Sequence, residues 1–397
     1  MATKLLLLMS ALLFSTMRPP AAAATTLDPV DFLALQSIRK SLSDLPGSDF
    51  FSRWSFTGEP CSFPGVFCAR ARVVALALGD PRAGSPGLTG RLDPAIGRLS
   101  QLSELSLVPG RVFGRIPDSI SQCSSLRFLA LSGNFLSGPI PASLVSLRHL
   151  RTVDLSFNIL SGEIPPTISS LPALSNLILC HNRLSGEIPD FPSSAPLLRL
   201  DVKHNNLFGG LPALPPSIRY LAASGNQLSG QIDGVLPQLT CLAYLDLSTN
   251  RLTGPVPGSI FTLPLSSLRL QRNQFSGAVS PTTEVRIPEV DLSYNRLSGS
   301  LSPLLAAVGR LYLNNNRFTG AVPARFAERL EASGMELLYL QHNFLSGMQI
   351  SPAAAIPVTT SLCLQYNCMV PPVDAPCPLK AGTQKTRPVD QCPEWRG

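Results

Sequence analysis

The sequence predicts an α/β solenoid, a single stack of short coils, on three observations. The stretch from Val153 to Pro165, VDLSFNILSGEIP, recurs in near-copy down most of the chain. Indexed by asparagine, the copies fall at Asn134, Asn158, Asn182, Asn205, Asn226, Asn250, Asn273, Asn295, Asn316, Asn343 and Asn367, at intervals of 21 to 27 residues. Composition agrees: charged residues are only 14% of the 397, which suits tiled strands and turns better than long solvated helices. A chain this long exceeds an ordinary single core, but a solenoid grows by stacking and needs no domain break.

Each position of the unit has a physical task. Aliphatic residues three and five places before the asparagine, Leu155 and Val153 in this copy, point inward from a short strand. One coil cannot bury that face, so the coils must stack. The asparagine stands where the chain leaves the strand, and its amide can satisfy backbone groups of adjacent coils that would otherwise be buried unpaired. The segment that follows, LSGPIP at 136–141, LSGEIP at 160–165 and 184–189, and more loosely LTGPVP and FTGAVP at 252–257 and 318–323, takes a glycine for a tight turn. Its proline suits an edge strand or an extended segment.

In these repeats the chain resembles the plant extracellular leucine-rich-repeat proteins, whose units carry the same LxGxIP extension, over residues 27 to 392. The resemblance implies a right-handed leucine-rich-repeat superhelix with a parallel concave β-sheet and disulfide-bonded caps. Its relatives include ectodomains of receptor-like kinases, receptor-like proteins and secreted polygalacturonase inhibitors; they share a fold and not a function.

In chain order, residues 1–24 read as a secretory signal peptide: Lys4, an apolar stretch from Leu5 to Phe14, and AAAA at 21–24. The apolar run is about half of the roughly 20 residues a spanning helix needs. Cleavage there would lower the net charge from +7 by removing Lys4 and Arg18. Residues 25–72 form the N-terminal cap, with Asp28 and Pro29 as helix start signals and Phe32, Leu35, Ile38 and Leu42 on one helical face. CSFPGVFC at 61–68 resembles the family's CxWxGVxC cap with Phe63 in place of tryptophan, and the resemblance pairs Cys61 with Cys68. Residues 73–367 hold about 12 to 13 coils. The first are irregular: GDPRAGSPG at 79–87 interrupts one, and Gly110 stands where an asparagine belongs. The longest interval contains ARFAERLEASG, a convex-side helical turn with Phe326 and Leu330 inward. Residues 368–397 read as a cysteine-containing C-terminal cap and tail. Cys363, Cys368, Cys377 and Cys392 make two bridges, for which four cysteines allow three pairings.

The tail carries no apolar run and the chain no Gly-rich loop or catalytic-loop motif, so neither a membrane span nor a kinase domain is expected. No NxS/T sequon occurs. The mild net charge is not clustered, which excludes a nucleic-acid interface. Cys123 and Cys241 precede strands and are expected to be small core residues, whereas Cys180 beside His181 should face outward.

Strand side chains alternate, so residues one, two, four, six and seven before each asparagine should line the concave face. That rule places all six tyrosines there, and the candidate partner-binding residues are Arg199, Tyr220, Tyr244, Arg269, Arg272, Tyr294, Arg310, Tyr312 and Tyr339. Tyrosine favours strands on its own account, but Tyr and Arg are also the residues in which binding energy concentrates. Asp154, Asp201, Asp246 and Asp291 recur four places before their asparagines, about 10 Å apart at strand spacing, wider than a retaining glycosidase pair. With Arg269 between two of them, they are expected to form a cross-strand charge ladder. No catalytic residue, cofactor or metal ligand is assigned. The expected function is a secreted recognition protein of the extracellular space or cell wall, binding a protein or peptide through its concave face in cell-surface signalling, development or defence. The resemblance implies as partners a receptor-kinase ectodomain or a microbial cell-wall-degrading enzyme; the second would make the chain polygalacturonase-inhibitor-like. Those inhibitors are usually shorter, with about ten near-regular repeats, and the extra coils here count against that assignment.

Overall fold

The computed structural model describes residues 26–79, 87–351, 356–357, 359–372, 377 and 386–392. The leader, most of the loop at 79–87 and much of the tail lie outside the described residues. A 14-stranded sheet runs the length of the molecule. It opens with an antiparallel pair, Val66–Ala69 against Arg72–Leu78, and every later strand is added in parallel in chain order as far as Ser361–Cys363. The register is strictly repeated: Leu129 faces Val153, which faces Leu177, then Leu200, Leu221 and Leu245, and all are fully buried. The inward leucines thus form one continuous core, as the repeat requires.

The asparagines bind coil to coil. Asn158 accepts from Leu136 N–H at 2.9 Å and donates to the Leu131 carbonyl at 3.0 Å in the preceding coil and to Leu155 at 3.2 Å in its own. The pattern recurs at Asn182, Asn205, Asn226, Asn250 and onward to Asn367. Where Gly110 replaces the amide, a Cβ would lie 2.7 Å from the Leu88 carbonyl oxygen, so the glycine permits a close approach between coils.

The LxGxIP segments do more than extend. They pair side by side into a second layer: five parallel strands of a six-stranded sheet, among them Phe135–Gly138, Ile159–Glu163 and Arg183–Ser185, closed at the cap end by the antiparallel strand Leu42–Asp44, with shorter pieces beyond. Gly162, at φ +79°, turns the chain out of this layer, and Pro165 precedes the 3₁₀ turn Pro166–Ser170. After two β segments, a coil of 21 to 24 residues leaves room for only one short 3₁₀ turn on the convex side. The 27-residue coil accommodates a true helix, Ala324–Glu331, with Phe326 and Leu330 fully buried. Three coils depart from the scheme. Among the described residues no helical turn occurs in the two coils between Pro166–Ser170 and Leu236–Gln238, or in the coil between Gly258–Thr262 and Pro303–Ala307. In the first two the regular second layer gives way to the bridge of Glu187 with Phe208, while its backbone bonds continue from Phe208 N–H to the Gly186 carbonyl and from Ser229 N–H to Gly209.

Both ends are closed. The helix Pro29–Ser41 is capped by Asp28, which accepts from Val30 N–H at 2.9 Å. Asp31, on its inner face, is fully buried, receives two guanidinium nitrogens of Arg72 at 2.8 and 3.0 Å and accepts from Val73 N–H. Trp54 stacks on Phe63 at 5.4 Å, beside the Cys61–Cys68 disulfide. At the other end the bridges are Cys363–Cys377 and Cys368–Cys392. Arg387 returns the tail to the array, donating to the Asn343 carbonyl at 2.9 Å and lying over the rings of Phe344 and Tyr366.

Candidate partner-binding face

Each strand presents two outward positions, six and four residues before its asparagine, and the parallel register brings them into columns. In the first column Arg199, Tyr220 and Tyr244 lie on consecutive strands. The Arg199 guanidinium sits 4.2 Å over the Tyr220 ring, which in turn stacks on Tyr244 at 4.6 Å and 6°. Burial, with Asp201 and Asp246 adding to it, pushes the Tyr220 hydroxyl up to about 12, and burial also raises that of Tyr244. Arg199 donates to Asp201 at 3.1 Å, and Lys203 approaches the same oxygen at 3.7 Å. Arg199 Nε and the other Asp201 oxygen are buried without a hydrogen-bond partner.

Further along the column Glu289 stands between two cations, accepting from Arg269 at 2.8 Å and from Arg310 at 2.5 Å. Burial alone would raise its carboxyl, but the two arginines outweigh it and hold Glu289 below the usual range. This corrects the expected charge ladder. Arg269 is indeed in register between Asp246 and Asp291, yet its side chain reaches Glu289 instead. The aspartates are occupied locally: Asp154, Asp246 and Asp291 each accept from the serine two residues on, at 2.6, 2.7 and 2.6 Å. The LDLS wording therefore encodes a side-chain turn, in which a short acid and a short hydroxyl close on one another.

In the second column Tyr312 meets Tyr339 edge-on at 5.3 Å. Tyr339 is only 6% exposed, so it supports Tyr312 and offers little surface of its own. Arg272 and Tyr294 lie elsewhere than strict alternation suggests. The residue before each asparagine has left the strand and adopts a left-handed turn, φ +51° to +59° at nine non-glycine positions from Phe157 to Tyr366. These side chains form a rim along one edge of the concave face, where Arg272 lies 4.4 Å over Tyr294. Phe157, His181 and His204 stack along the same rim. Desolvation, with His204 and Lys203 adding to it, lowers the His181 pKa.

Glu289 is the residue that sequence reasoning missed. The signal was present, an acid whose register neighbour on one side is Arg310 and which has Arg269 on the other strand, two residues along from its register partner Ser267. Two cysteines also fall elsewhere than expected. Cys241 is exposed and not in the core, and Cys180 is buried beneath the face, where desolvation pushes its thiol up to about 12. A thiol so raised is a poor nucleophile at neutral pH. Among the described residues no group of three or more His, Cys, Asp or Glu could hold a metal, and no helix is long and apolar enough to cross a membrane.

Comparison with known proteins matches residues 28–69 to a leucine rich repeat N-terminal domain and residues 125–147, 149–171 and 241–263 to a Leucine Rich Repeat. Receptor-like protein 54 of Arabidopsis thaliana is 36% identical over 116 residues, 28% of this chain and 14% of that protein. The crystal structure of PEPR1-AtPEP1 is 26% identical with a TM-score of 0.66, covering 85% of this chain and 55% of that one. The plant peptide hormone receptor RGFR1 in complex with RGF2 is 30% identical with a TM-score of 0.61, covering 71% and 46%. The matched segments thus span under a fifth of the curated relative and about half of each of these two solved structures.

Proposed function

We propose that this leucine-rich-repeat chain, similar to plant receptor-like proteins and receptor ectodomains, is a secreted, non-enzymatic recognition protein that binds a peptide or protein through its concave face. The carrying observation is the run of ordered side chains on consecutive strands: Arg199, Tyr220 and Tyr244 in one stack, and Arg269, Glu289 and Arg310 in one ion-paired group. Side chains already held in place lose little entropy when a partner arrives, and aromatic rings with forked guanidiniums supply flat area and directed donors. The similarity to RGFR1, a plant peptide hormone receptor, supports the peptide class. Cell-surface signalling, development or defence is the setting this reading implies.

The test is binding of the purified protein to a panel of plant peptide hormones, receptor-kinase ectodomains and microbial polygalacturonases. A partner from this panel should lose about 2 kcal/mol or more when Tyr244 or Arg269 is truncated to alanine. A convex-side change at Arg325, which pairs with Glu284, should leave binding unaltered. Retained binding in the concave variants together with loss in Arg325→Ala would place the functional face on the wrong side.

A further inference from the structure

The convex side opens behind the coil that leads into Glu289, where no helical turn lies between Gly258–Thr262 and Pro303–Ala307. Residues 281–288 of that coil, PTTEVRIP, have a proline at each end and β-branched Thr282, Thr283, Val285 and Ile287 between, a composition that favours extended chain over a turn of helix. The stretch is held toward its C-terminal neighbours. Val285 N–H donates to the Leu304 carbonyl at 3.0 Å, and Glu284 accepts from Arg325 on the helix Ala324–Glu331. On its other side, against residues 261–265, lies a cleft of about 380 Å³. Its floor is Phe261, Leu263, Leu265 and Ile287, all buried, and Glu284 and Arg286 also line it. The volume falls in the lower part of the range of small-molecule sites.

Charge around the cleft is unbalanced. Glu284 is neutralised by Arg325, whereas Arg286 is exposed and pairs with no carboxylate among the described residues. A guanidinium presents parallel donors to the two oxygens of a carboxylate, so an apolar floor beside one that has no acid of its own suits a ligand with an apolar body and an anionic head. We propose that this cleft binds a small aromatic or alkyl carboxylate, its body seated on the buried side chains and its carboxylate on Arg286. The site is on the opposite side of the coil from the ion-paired group of Arg269, Glu289 and Arg310, and it stands independently of the concave-face reading.

The experiment titrates the full-length protein, ¹³C-labelled at its leucine and isoleucine methyls, with 2-naphthoate and with the uncharged 2-naphthamide. The expected result is a saturable shift of the Leu263, Leu265 and Ile287 methyls with 2-naphthoate. 2-Naphthamide should bind about ten-fold more weakly, the least that a hydrogen bond to a charged group contributes. Arg286→Gln should remove that difference by weakening 2-naphthoate alone. Thr283→Trp, at an exposed position that lines the cleft, fills it and should abolish the response to both probes. Unfolding midpoints check that both variants are folded, and Arg286→Gln, at an exposed side chain, carries the test if Thr283→Trp is not. Methyl shifts that are absent, or confined to residues away from the cleft, overturn the site. Equal affinity of the parent for the two probes, or an Arg286→Gln variant that binds 2-naphthoate as tightly as the parent, overturns the carboxylate assignment.

Discussion

Replacing Asn158 by alanine tests whether the amide ladder is a stability element in its own right. The side chain makes four hydrogen bonds, accepting from Leu136 N–H and donating to the carbonyls of Leu131, Leu155 and Ser156. Not all of these are lost outright. The Leu155 carbonyl also receives Asn182, and the Ser156 carbonyl receives Gly133 N–H. The two groups stranded are Leu136 N–H and Leu131 C=O, both in the coil before. A buried polar group left without a partner costs about 1 to 3 kcal/mol, so Asn158→Ala should destabilise by roughly 2 to 6 kcal/mol. Repeat arrays depart from two-state unfolding, so the denaturant midpoint should be read together with hydrogen exchange. Exchange should quicken at Leu136 while amides near Asn343 stay protected. Phe157→Ala, at a neighbouring side chain that is 56% exposed, is the control and should change little. A loss under about 1 kcal/mol, or an unchanged Leu136 amide, would refute the claim that the ladder satisfies otherwise stranded backbone groups.

Two further outcomes follow from the site. Because Glu289 is held below its unfolded-state pKa by Arg269 and Arg310, its contribution is fully present above the ordinary glutamate value of about 4.3 and is lost as pH falls through the lower folded value. Stability measured from pH 6 downward should therefore fall less steeply in Glu289→Gln than in the parent, and identical slopes would contradict the pairing. Thiol chemistry gives the other: a colorimetric thiol reagent should find one fast-reacting group, Cys241, with Cys123 and Cys180 reacting only on unfolding because burial pushes both up to about 12.

Much of this molecule can be read from its sequence, because the features that define it repeat. The core leucines, the asparagine ladder and the alignment of Arg199, Tyr220 and Tyr244 all follow from a fixed interval, and a register repeated in every coil turns sequence position into spatial position. What escaped is what occurs once or depends on a contact between unlike positions. Asp31 stands four and seven residues before Leu35 and Ile38, on the face that periodicity assigns to the core, but residue type alone would send an acid to solvent, and only the approach of Arg72, 41 residues on, makes its burial tolerable. Glu289 escaped because the recurring aspartates drew the charge argument to a different column. The rim was misread because alternation assumes a strand, and the chain turns left-handed one residue before the asparagine. Cys241 precedes an inward leucine but stands at the outer bend of its coil, where one residue's difference separates core from surface.

The coils that lack convex turns, the two leading into Arg199 and Tyr220 and the one leading into Glu289, behave like a staircase short of one stringer. In the other described coils three lines of contact run side by side: the concave strands, the second layer and the convex helical turns. Through these coils the concave strands, the asparagines and the second layer's backbone bonds remain, among them Phe208 N–H to the Gly186 carbonyl and Ser229 N–H to Gly209. The side chains a partner would meet, Arg199, Tyr220 and Glu289, thus stand on the strands whose outer support is plain extended chain. A ligand spanning Arg199 to Tyr244 would act as a splint across coils braced on two sides in place of three.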